Sequence, residues 1–155
     1  MLTHLDAQGN PSMVDVSEKA ITKRIAKARS IVVLGDVIMD LFQNNEIQSK
    51  KGPVFQTAII AGVMAAKKTG ELIPLCHPIG LENCQIIISV NDNREVVIEC
   101  TASLTAKTGV EMEALVGASV AALTVYDMCK AMSHDIVIKE TCLIEKSGGK
   151  HDFRR

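Results

Sequence analysis

Residues 114–126 contain no charged side chain, while Glu111 and Glu113 precede this run and Asp127 and Lys130 follow it. The run is rich in small residues, which suit close approach of neighbouring elements in a packed interior. A membrane-spanning helix needs about 20 predominantly apolar residues, so thirteen are too few. The segment predicts a buried helix of a soluble protein over residues 110–132, with charged residues at both ends.

Helix geometry separates the two ends of this predicted helix. At a rise of about 1.5 Å and a turn of about 100° per residue, Glu113 and Asp127 project within about 40° of one stripe but lie about 21 Å apart. If both act on one substrate, the site most simply combines the glutamate end of one subunit with the aspartate end of another. Glu111 and Glu113 are about 160° apart around the axis, which predicts that at most one faces a given pocket.

Composition limits the partners of the chain. With 17 basic and 18 acidic residues the net charge is -1, so no global field steers the protein to nucleic acid or to a membrane. An anionic ligand must therefore be held by a local cluster. Aromatic residues make up only 3% of the chain and Trp is absent, which predicts an aliphatic, Met-rich core.

The cysteines and the N-terminal segment bear on the cellular compartment. The five cysteines are odd in number, form no CxxC pair and mostly lie in apolar runs, which favours reduced thiols in the cytoplasm. The chain begins without the apolar stretch of a secretory signal, so secretion has no support.

We expect a single domain over residues 1–155, with an irregular N-terminal arm over 1–19 and a polar C-terminal tail over 147–155.

The first half of the chain gives mixed signals. Residues 20–34 fit both a helical stripe and, in their β-branched second half, a strand. Residues 36–44 predict a short helix, and the polar sequence NNEIQSKKGP predicts a loop. Residues 54–69 predict a helix closed by Gly70, with Lys67 and Lys68 in its last turn, where the helix dipole favours cations.

The second half is clearer and defines the fold class. Residues 82–90 and 95–104 are β-rich runs joined by Asn91, Asp92 and Asn93, which predicts a hairpin. After the long helix, residues 135–145 predict a last strand. The order of elements predicts an α+β fold of ferredoxin-like type, with an antiparallel sheet and helices packed on one face.

The tripeptide Cys76, His77 and Pro78 is a candidate for chemistry. Pro74 and Pro78 restrict the backbone around His77, which suits a rigid loop that presents its imidazole. A plain surface loop beside a buried thiol is the alternative. A zinc site is a further alternative, although adjacent Cys and His lack the usual spacing of zinc ligands and no second cluster completes the set.

Asp127 and Lys130 stand three residues apart on one predicted helix face, where a carboxylate and an amine can touch. Partial burial could tune both groups for proton transfer. An ordinary ion pair at a helix end is the alternative.

Lysines recur beside glycines in SKKG, AKTG and KSGGK. Each lysine alone is typical of a solvated surface charge. Together with nearby backbone amides they indicate a phosphate site, while the absence of GxxxxGK[ST] argues against a P-loop NTPase.

Several long motifs, in order, carry a resemblance to a known family. The segments MVDVS, LIPLCHP, KTGVEMEAL, ALTVYDMCKA and KSGGK, within a match from about residue 2 to 153, resemble the MoaC family of cyclic pyranopterin monophosphate synthases. The resemblance implies a ferredoxin-like subunit in a homo-hexamer, a trimer of dimers, with active sites at subunit interfaces.

The implied reaction is a step of molybdenum cofactor biosynthesis. It converts 3',8-cyclo-7,8-dihydroguanosine 5'-triphosphate into cyclic pyranopterin monophosphate with release of pyrophosphate, which makes the enzyme a lyase. A radical SAM GTP cyclase would supply the substrate. Ring opening and closure need proton donors and acceptors, and expulsion of pyrophosphate needs cations, with no obligatory cofactor and Mg²⁺ as an optional ion.

The resemblance also implies roles for residues. The catalytic residues are Asp127, Lys130 and Lys51. The residues implied to contact substrate are Leu75, Cys76, His77, Glu111, Met112, Glu113, Arg24, Lys67 and Lys146. One departure is Pro53, because the family usually has an aspartate after the lysine-glycine pair.

Two other functions remain open on the residues alone. One is a non-catalytic nucleotide- or pterin-binding oligomer on the same fold, since ferredoxin-like domains host many functions. The other is a structural metal-binding domain that uses Cys76 and His77.

Overall fold

A computed structural model describes residues 4–155 of the chain. The helices and strands are, in chain order, β1 (Thr22–Val33), α1 (Asp36–Met39), β2 (Gln48–Ser49), β3 (Gly52–Pro53), α2 (Val54–Ala66), α3 (Thr69–Leu72), β4 (Asn83–Val90), β5 (Val96–Ala106), α4 (Glu111–Cys129), β6 (Val137–Ser147) and β7 (Phe153–Arg154).

Five strands form one antiparallel sheet in the order β4-β5-β1-β6-β7, and β2 and β3 form a separate two-stranded ribbon. The long elements follow the order strand, helix, strand, strand, helix, strand, with β1 in the sheet interior. This is the ferredoxin-like arrangement, so the predicted fold class is confirmed. The helices α2 and α4 contact each other, and α4 also packs on β1, β5 and β6.

The ambiguous segment before Gly35 is a strand over nearly its whole length. Ala26, Ala28, Ser30 and Val32 are completely buried, and the residues between them are only half-buried. This period of two matches the pleat of a strand that is hydrogen-bonded on both sides, to β5 and β6. The alternative is a helical stripe formed by Ile21, Ile25, Ala28 and Val32. It is wrong because Ile21 is exposed and lies outside the core.

The helices of the first half are shorter than predicted. The helix expected over residues 36–44 covers only Asp36–Met39. The helix expected over 54–69 ends at Ala66, and Gly70 lies inside α3 rather than closing α2. The buried Thr69 hydroxyl donates a hydrogen bond of 2.9 Å to the Ala66 carbonyl, which satisfies one of the free carbonyls at the end of α2. Lys67 and Lys68 therefore follow α2 instead of lying in its last turn.

The second half agrees with the predictions to within a few residues. The hairpin is formed by β4 and β5, the long helix is α4, and the last long strand is β6. The polar C-terminal tail contains a short strand, β7, which pairs with β6. From residue 4 to 21 the N-terminal arm contains no helix and one isolated β-bridge, between Leu5 and Pro11, while residues 1–3 lie outside the described residues.

Helix α4 meets the length and composition of a membrane span, since its 19 residues extend beyond the uncharged run. Contrary to the prediction from the uncharged run, helix length does not exclude a membrane span. Burial supports a core helix instead, because 56% of the apolar window lies inside the fold and Ala114, Ala118, Ala121 and Ala122 are fully buried.

The core is aliphatic as predicted but not Met-rich. Met39 and Met128 are buried, whereas Met13, Met64 and Met112 are exposed. The five cysteines are free thiols.

Two glycines let α2 and α4 cross at close range. A Cβ atom on Gly62 would lie 2.8 Å from the Gly117 carbonyl oxygen and 3.1 Å from the Ala121 Cβ. A Cβ atom on Gly117 would lie 2.6 Å from the Cys100 sulfur in the sheet. The helices can approach each other and the sheet this closely only because both positions lack a side chain.

We expect Gly62→Ala to destabilise the fold. Alanine favours a helix over glycine by about 1 kcal/mol. Overpacking costs about 1–3 kcal/mol, and the upper part of that range, about 2–3 kcal/mol, applies here because the neighbour is a backbone carbonyl. The free energy of unfolding should therefore fall by about 1–2 kcal/mol. Urea unfolding of the variant measures this change. Gln56→Ala, at an exposed position of the same helix, is the control and should unfold near the wild-type midpoint. A Gly62→Ala protein as stable as wild type would show that the crossing has room to spare.

Candidate active site

Three charged side chains meet at the C-terminal end of α4. The Lys51 ammonium donates to Asp127 Oδ2 at 2.8 Å, and the Lys130 ammonium lies 3.1 Å from Asp127 Oδ1. Lys51 also donates to the Asp127 carbonyl oxygen at 3.2 Å. Each carboxylate oxygen therefore carries one cation.

Different elements bring these residues together. Asp127 lies in the last turn of α4 and Lys130 directly follows that helix. Lys51 comes from the turn of the β2–β3 ribbon, where its amide donates to the Ser49 hydroxyl oxygen at 3.1 Å and Gly52 has φ +111°. The Asp127–Lys130 contact was predicted from spacing, and the structure adds Lys51, which is 76 residues from Asp127 in sequence.

The cluster is open to solvent on a single chain, since the three side chains are 52%, 53% and 57% exposed for Lys51, Asp127 and Lys130. The hydrogen bond from Lys51, and next that from Lys130, lowers the pKa of the Asp127 carboxyl below its ordinary value. Asp127 is thus a carboxylate flanked by two proton donors, an arrangement suited to proton transfer. The tuning comes from cations rather than from the burial that the sequence led us to expect.

A second group of predicted residues lines a cavity of about 350 Å³ at the N-terminal end of α4. We call it the α4 N-terminal cavity. Its lining comes from the N-terminal arm, the loop after α3, and the start of α4: His4, Val14, Val16, Lys19, Leu75, Cys76, His77, Ile79, Thr108, Gly109, Glu111, Met112 and Glu113. Six of the residues predicted to contact substrate are therefore neighbours in space.

The Leu75–His77 loop is held against the N-terminal arm. The His77 Nε2 atom lies 2.7 Å from the Val14 carbonyl oxygen, so this nitrogen carries the proton and donates. Burial, and next the charge of Glu113, raises the pKa of the Cys76 thiol. Cys76 is accordingly a neutral thiol in the wall of the cavity.

Glu111 and Glu113 both line this cavity, so the prediction that at most one of them faces a given pocket is wrong. The cavity lies over the end of the helix rather than along one side, and side chains about 160° apart around the axis can both border it. Glu113 is 4% exposed, and burial, with a smaller contribution from the charge of Glu111, raises its pKa. Glu111 instead pairs with Lys146 at 3.0 Å.

A basic cavity of about 230 Å³ adjoins the first one. Arg24, Lys146, Lys150 and Lys19 contribute its cations, and Glu111 borders both cavities. The Arg24 guanidinium donates to the Ala106 and Lys107 carbonyl oxygens at 3.4 and 3.2 Å, and these bonds fix its position. Arg24 and Lys146, two of the three basic residues implied to contact substrate, thus line one cavity.

Lys67 lies apart from Arg24 and Lys146. It lines a separate depression with Gly70, Glu71, Pro78 and Ile79, of which only Ile79 also lines the α4 N-terminal cavity.

Lys19 is a candidate that the sequence reasoning missed. It borders both the α4 N-terminal cavity and the basic cavity, as well as a third cavity beside Gly148 and Gly149. Its position shortly after the MVDVS motif, whose Val14 and Val16 also line the first cavity, is the signal that could have identified it.

Within residues 4–155, no group of three or more His, Cys, Asp or Glu side chains is arranged to hold a metal ion. Cys76 and His77 therefore have no third ligand of these types in that range to complete a zinc site.

Comparisons with known proteins identify the family. Residues 13–149 match the sequence model of the MoaC family. A cyclic pyranopterin monophosphate synthase from Xanthomonas axonopodis pv. citri is 51% identical over 152 residues, which cover 98% of this chain and 92% of that protein.

Longer relatives also contain a matching segment. The chain is 51% identical to molybdenum cofactor biosynthesis protein 1 from Dictyostelium discoideum and 53% identical to a molybdenum cofactor biosynthesis bifunctional protein from Synechocystis sp.. It spans 26% and 45% of the length of these two proteins, while 96% and 98% of the chain itself is covered. With a family match over most of its length and a relative of similar size at 51% identity, the chain belongs to the MoaC family.

Proposed function

We propose that this protein is a lyase that converts 3',8-cyclo-7,8-dihydroguanosine 5'-triphosphate into cyclic pyranopterin monophosphate and pyrophosphate, a step of molybdenum cofactor biosynthesis. The observation that carries the proposal is the convergence of Lys51 and Lys130 on the two oxygens of Asp127. Support comes from the name of the Xanthomonas relative, which aligns with nearly all of this chain. Supply of the substrate by a radical SAM GTP cyclase and a cytoplasmic location belong to the same proposal.

Asp127, Lys51 and Lys130 carry the proton transfers of the rearrangement. Opening and re-closing rings at carbon atoms that bear nitrogen requires a base that removes protons and acids that return them. Asp127, a carboxylate held between two ammonium groups, is the base. The two lysine ammonium groups are the acids, and each is already hydrogen-bonded to the group with which it would exchange a proton.

The cavities at the other end of α4 bind the substrate. Arg24, Lys146 and Lys19 surround a space in which phosphate oxygens would be neutralised, and this offsets the charge on departing pyrophosphate. The carboxyl groups of Glu111 and Glu113 can accept hydrogen bonds from the N–H groups of a guanine-derived ring. Any Mg²⁺ would be held mainly by the phosphates, as is usual for this ion.

One chain cannot present both groups to one substrate. Asp127 and Glu113 are fourteen residues apart on the same helix, which corresponds to about 21 Å along its axis. The cluster at Asp127 is also half exposed on a single chain, so a second chain can complete it. Each active site therefore joins the Asp127 end of one subunit to the cavities of another. The assembly that contains these sites is the homo-hexamer, a trimer of dimers, that the resemblance to the MoaC family implies.

We expect Asp127→Asn to lower turnover of the cyclised triphosphate by about 10²- to 10⁴-fold, because the amide cannot accept a proton in the rearrangement. Substrate binding, measured by calorimetry, and the oligomeric state should persist. Lys130→Ala should behave in the same way. Asp135→Asn, which changes an exposed carboxyl group beyond α4, is the control. Full pyrophosphate and pterin production by Asp127→Asn would refute the assignment, and a wild-type protein that never forms product would point to a binding module instead.

The pKa of Asp127 should depend on Lys51. Because the Lys51 hydrogen bond lowers this pKa, the carboxylate stays ionised to a lower pH than an ordinary aspartate, and its two ion pairs are lost as the pH falls through the lowered value. In Lys51→Met the carbon-13 NMR titration midpoint of the Asp127 carboxyl should rise, and added salt should shrink the difference because the pair is half exposed. Lys50→Met, one residue away on the same turn, should leave the midpoint in place; identical midpoints in wild type and Lys51→Met would contradict the contact.

Mixed oligomers test the shared site. Glu113→Ala and Asp127→Asn subunits, each inactive alone, should regain part of the wild-type turnover when unfolded and reassembled together, because some interfaces then contain both native ends. Mass spectrometry of the intact assembly verifies mixing. Absence of recovery in proven mixed oligomers would show that each subunit works with its own residues.

A further inference from the structure

Helix α2 starts without a cap from its own N-cap residue. That position holds Pro53, which has no side-chain acceptor and makes no capping hydrogen bond. The first amides of this 13-residue helix need hydrogen-bond acceptors. An Asp, Asn, Ser or Thr side chain at the N-cap position usually supplies one. The proline is thus a departure with a physical consequence at the start of α2.

Glu46 supplies the missing cap from outside the helix. Its Oε1 atom accepts from the Phe55 amide at 2.8 Å, and its Oε2 atom accepts from the Gln56 amide at 3.1 Å. Phe55 and Gln56 are the second and third residues of α2, whose amides an N-cap side chain ordinarily binds. One carboxylate therefore satisfies both donors and places negative charge at the positive end of the helix dipole.

A tight turn aims Glu46 at the helix. Gln43 and Glu46 exchange two backbone hydrogen bonds, both 3.0 Å long. Between them Asn44 and Asn45 have φ values of +52° and +59°. Two consecutive residues with positive φ form the type I′ turn, for which Asn is among the preferred residues.

The same carboxylate fixes the ribbon that carries Lys51. Glu46 Oε1 also accepts from the Ile47 amide at 2.7 Å, and the Ile47 side chain is fully buried. The Ile47 carbonyl then accepts from the Val54 amide at 2.9 Å, which closes the base of the ribbon. Glu46 thus clamps the base of the ribbon to the start of α2, and Lys51 at the ribbon's turn reaches Asp127.

We infer that Glu46 is a positioning residue for Lys51. Glu46 replaces the helix cap that Pro53 cannot provide and so holds the Lys51 ammonium on Asp127. The importance of that contact for turnover rests on the proposed function. The capping role does not, and it can be measured without any substrate.

The test compares Glu46→Ala with two double variants that differ only at residue 53. In Glu46→Ala, amide hydrogen exchange at Phe55 and Gln56 should accelerate by about 2- to 30-fold, the range that corresponds to loss of a helix cap. The kcat value should fall by about 10- to 100-fold with little change in KM, because a displaced catalytic group costs rate more than binding. The NMR titration midpoint of Asp127 should rise. Two cations face this carboxylate, Lys51 from the ribbon and Lys130 directly after α4, and only Lys130 stays in place.

Pro53→Asp added to Glu46→Ala should restore slow exchange, kcat and the Asp127 midpoint together, because aspartate at the N-cap binds the same amides locally. Pro53→Ala in the same background offers no acceptor and should restore none of them. Recovery with alanine would show that removal of proline, rather than capping, is responsible, and would overturn the inference.

Two further outcomes would also overturn it. Unchanged exchange at Phe55 and Gln56 in Glu46→Ala would refute the cap, whatever happens to turnover. Faster exchange with an unchanged Asp127 midpoint and kcat would show a cap that does not position Lys51. Failure of the proposed function gives a different result. Lys51→Met would then show the same turnover rate as wild type, while amide exchange at Phe55 and Gln56 would still report on the cap. If Glu46→Ala does not fold, Glu46→Gln keeps one acceptor oxygen and should accelerate exchange at only one of the two amides.

Discussion

The close crossing of α2 and α4 organises both functional regions of this protein. Because Gly62 and Gly117 have no side chains, the two helix backbones lie in contact. Gly117 also allows α4 to pack directly on Cys100 in the sheet. The two helices run in opposite directions, because β1 and β4 are parallel to each other and antiparallel to β5 and β6. The start of α2 therefore lies beside the end of α4, and the end of α2 lies beside its start.

This pairing of helix ends explains which loops meet α4. The ribbon that precedes α2 places Lys51 on Asp127 in the last turn of α4. The loop that follows α2 and α3 brings Cys76 and His77 to the cavity at the first turn of α4. A change that pushed the helices apart would thus disturb both ends at once, although neither glycine touches a charged group of the site.

The carboxyl groups at the two ends of α4 are tuned in opposite directions. Glu113 is buried, which raises its pKa, whereas Asp127 is half exposed between two ammonium groups, which lower its pKa. Such a divergence separates a group that holds its proton from one that readily gives it up. In the proposed shared site, these two kinds of carboxyl group come from different subunits, because the length of α4 keeps the two ends of one helix too far apart.

The cap by Glu46 also depends on a residue outside the helix. A helix start is usually capped by the residue directly before it, whereas the cap of α2 comes from a turn seven residues earlier in the chain.

The sequence by itself determined the ferredoxin-like order of elements, the hairpin of β4 and β5, the position of α4 and the Asp127–Lys130 pair, because periodicity, turn residues and helical spacing are local. Its motifs also indicated the family and most residues that line the cavities. It could not decide whether residues 20–34 form a strand, because that choice depended on two neighbouring strands, and it misjudged the end of α2, where the Thr69 side chain binds a helix carbonyl. Only the tertiary structure decided that Lys51 reaches Asp127, that Glu111 and Glu113 share one cavity, that Lys19 joins the basic residues, and that Glu46 caps α2. These contacts join residues from different elements whose relative positions follow from packing, and no local pattern in the chain encodes such distances.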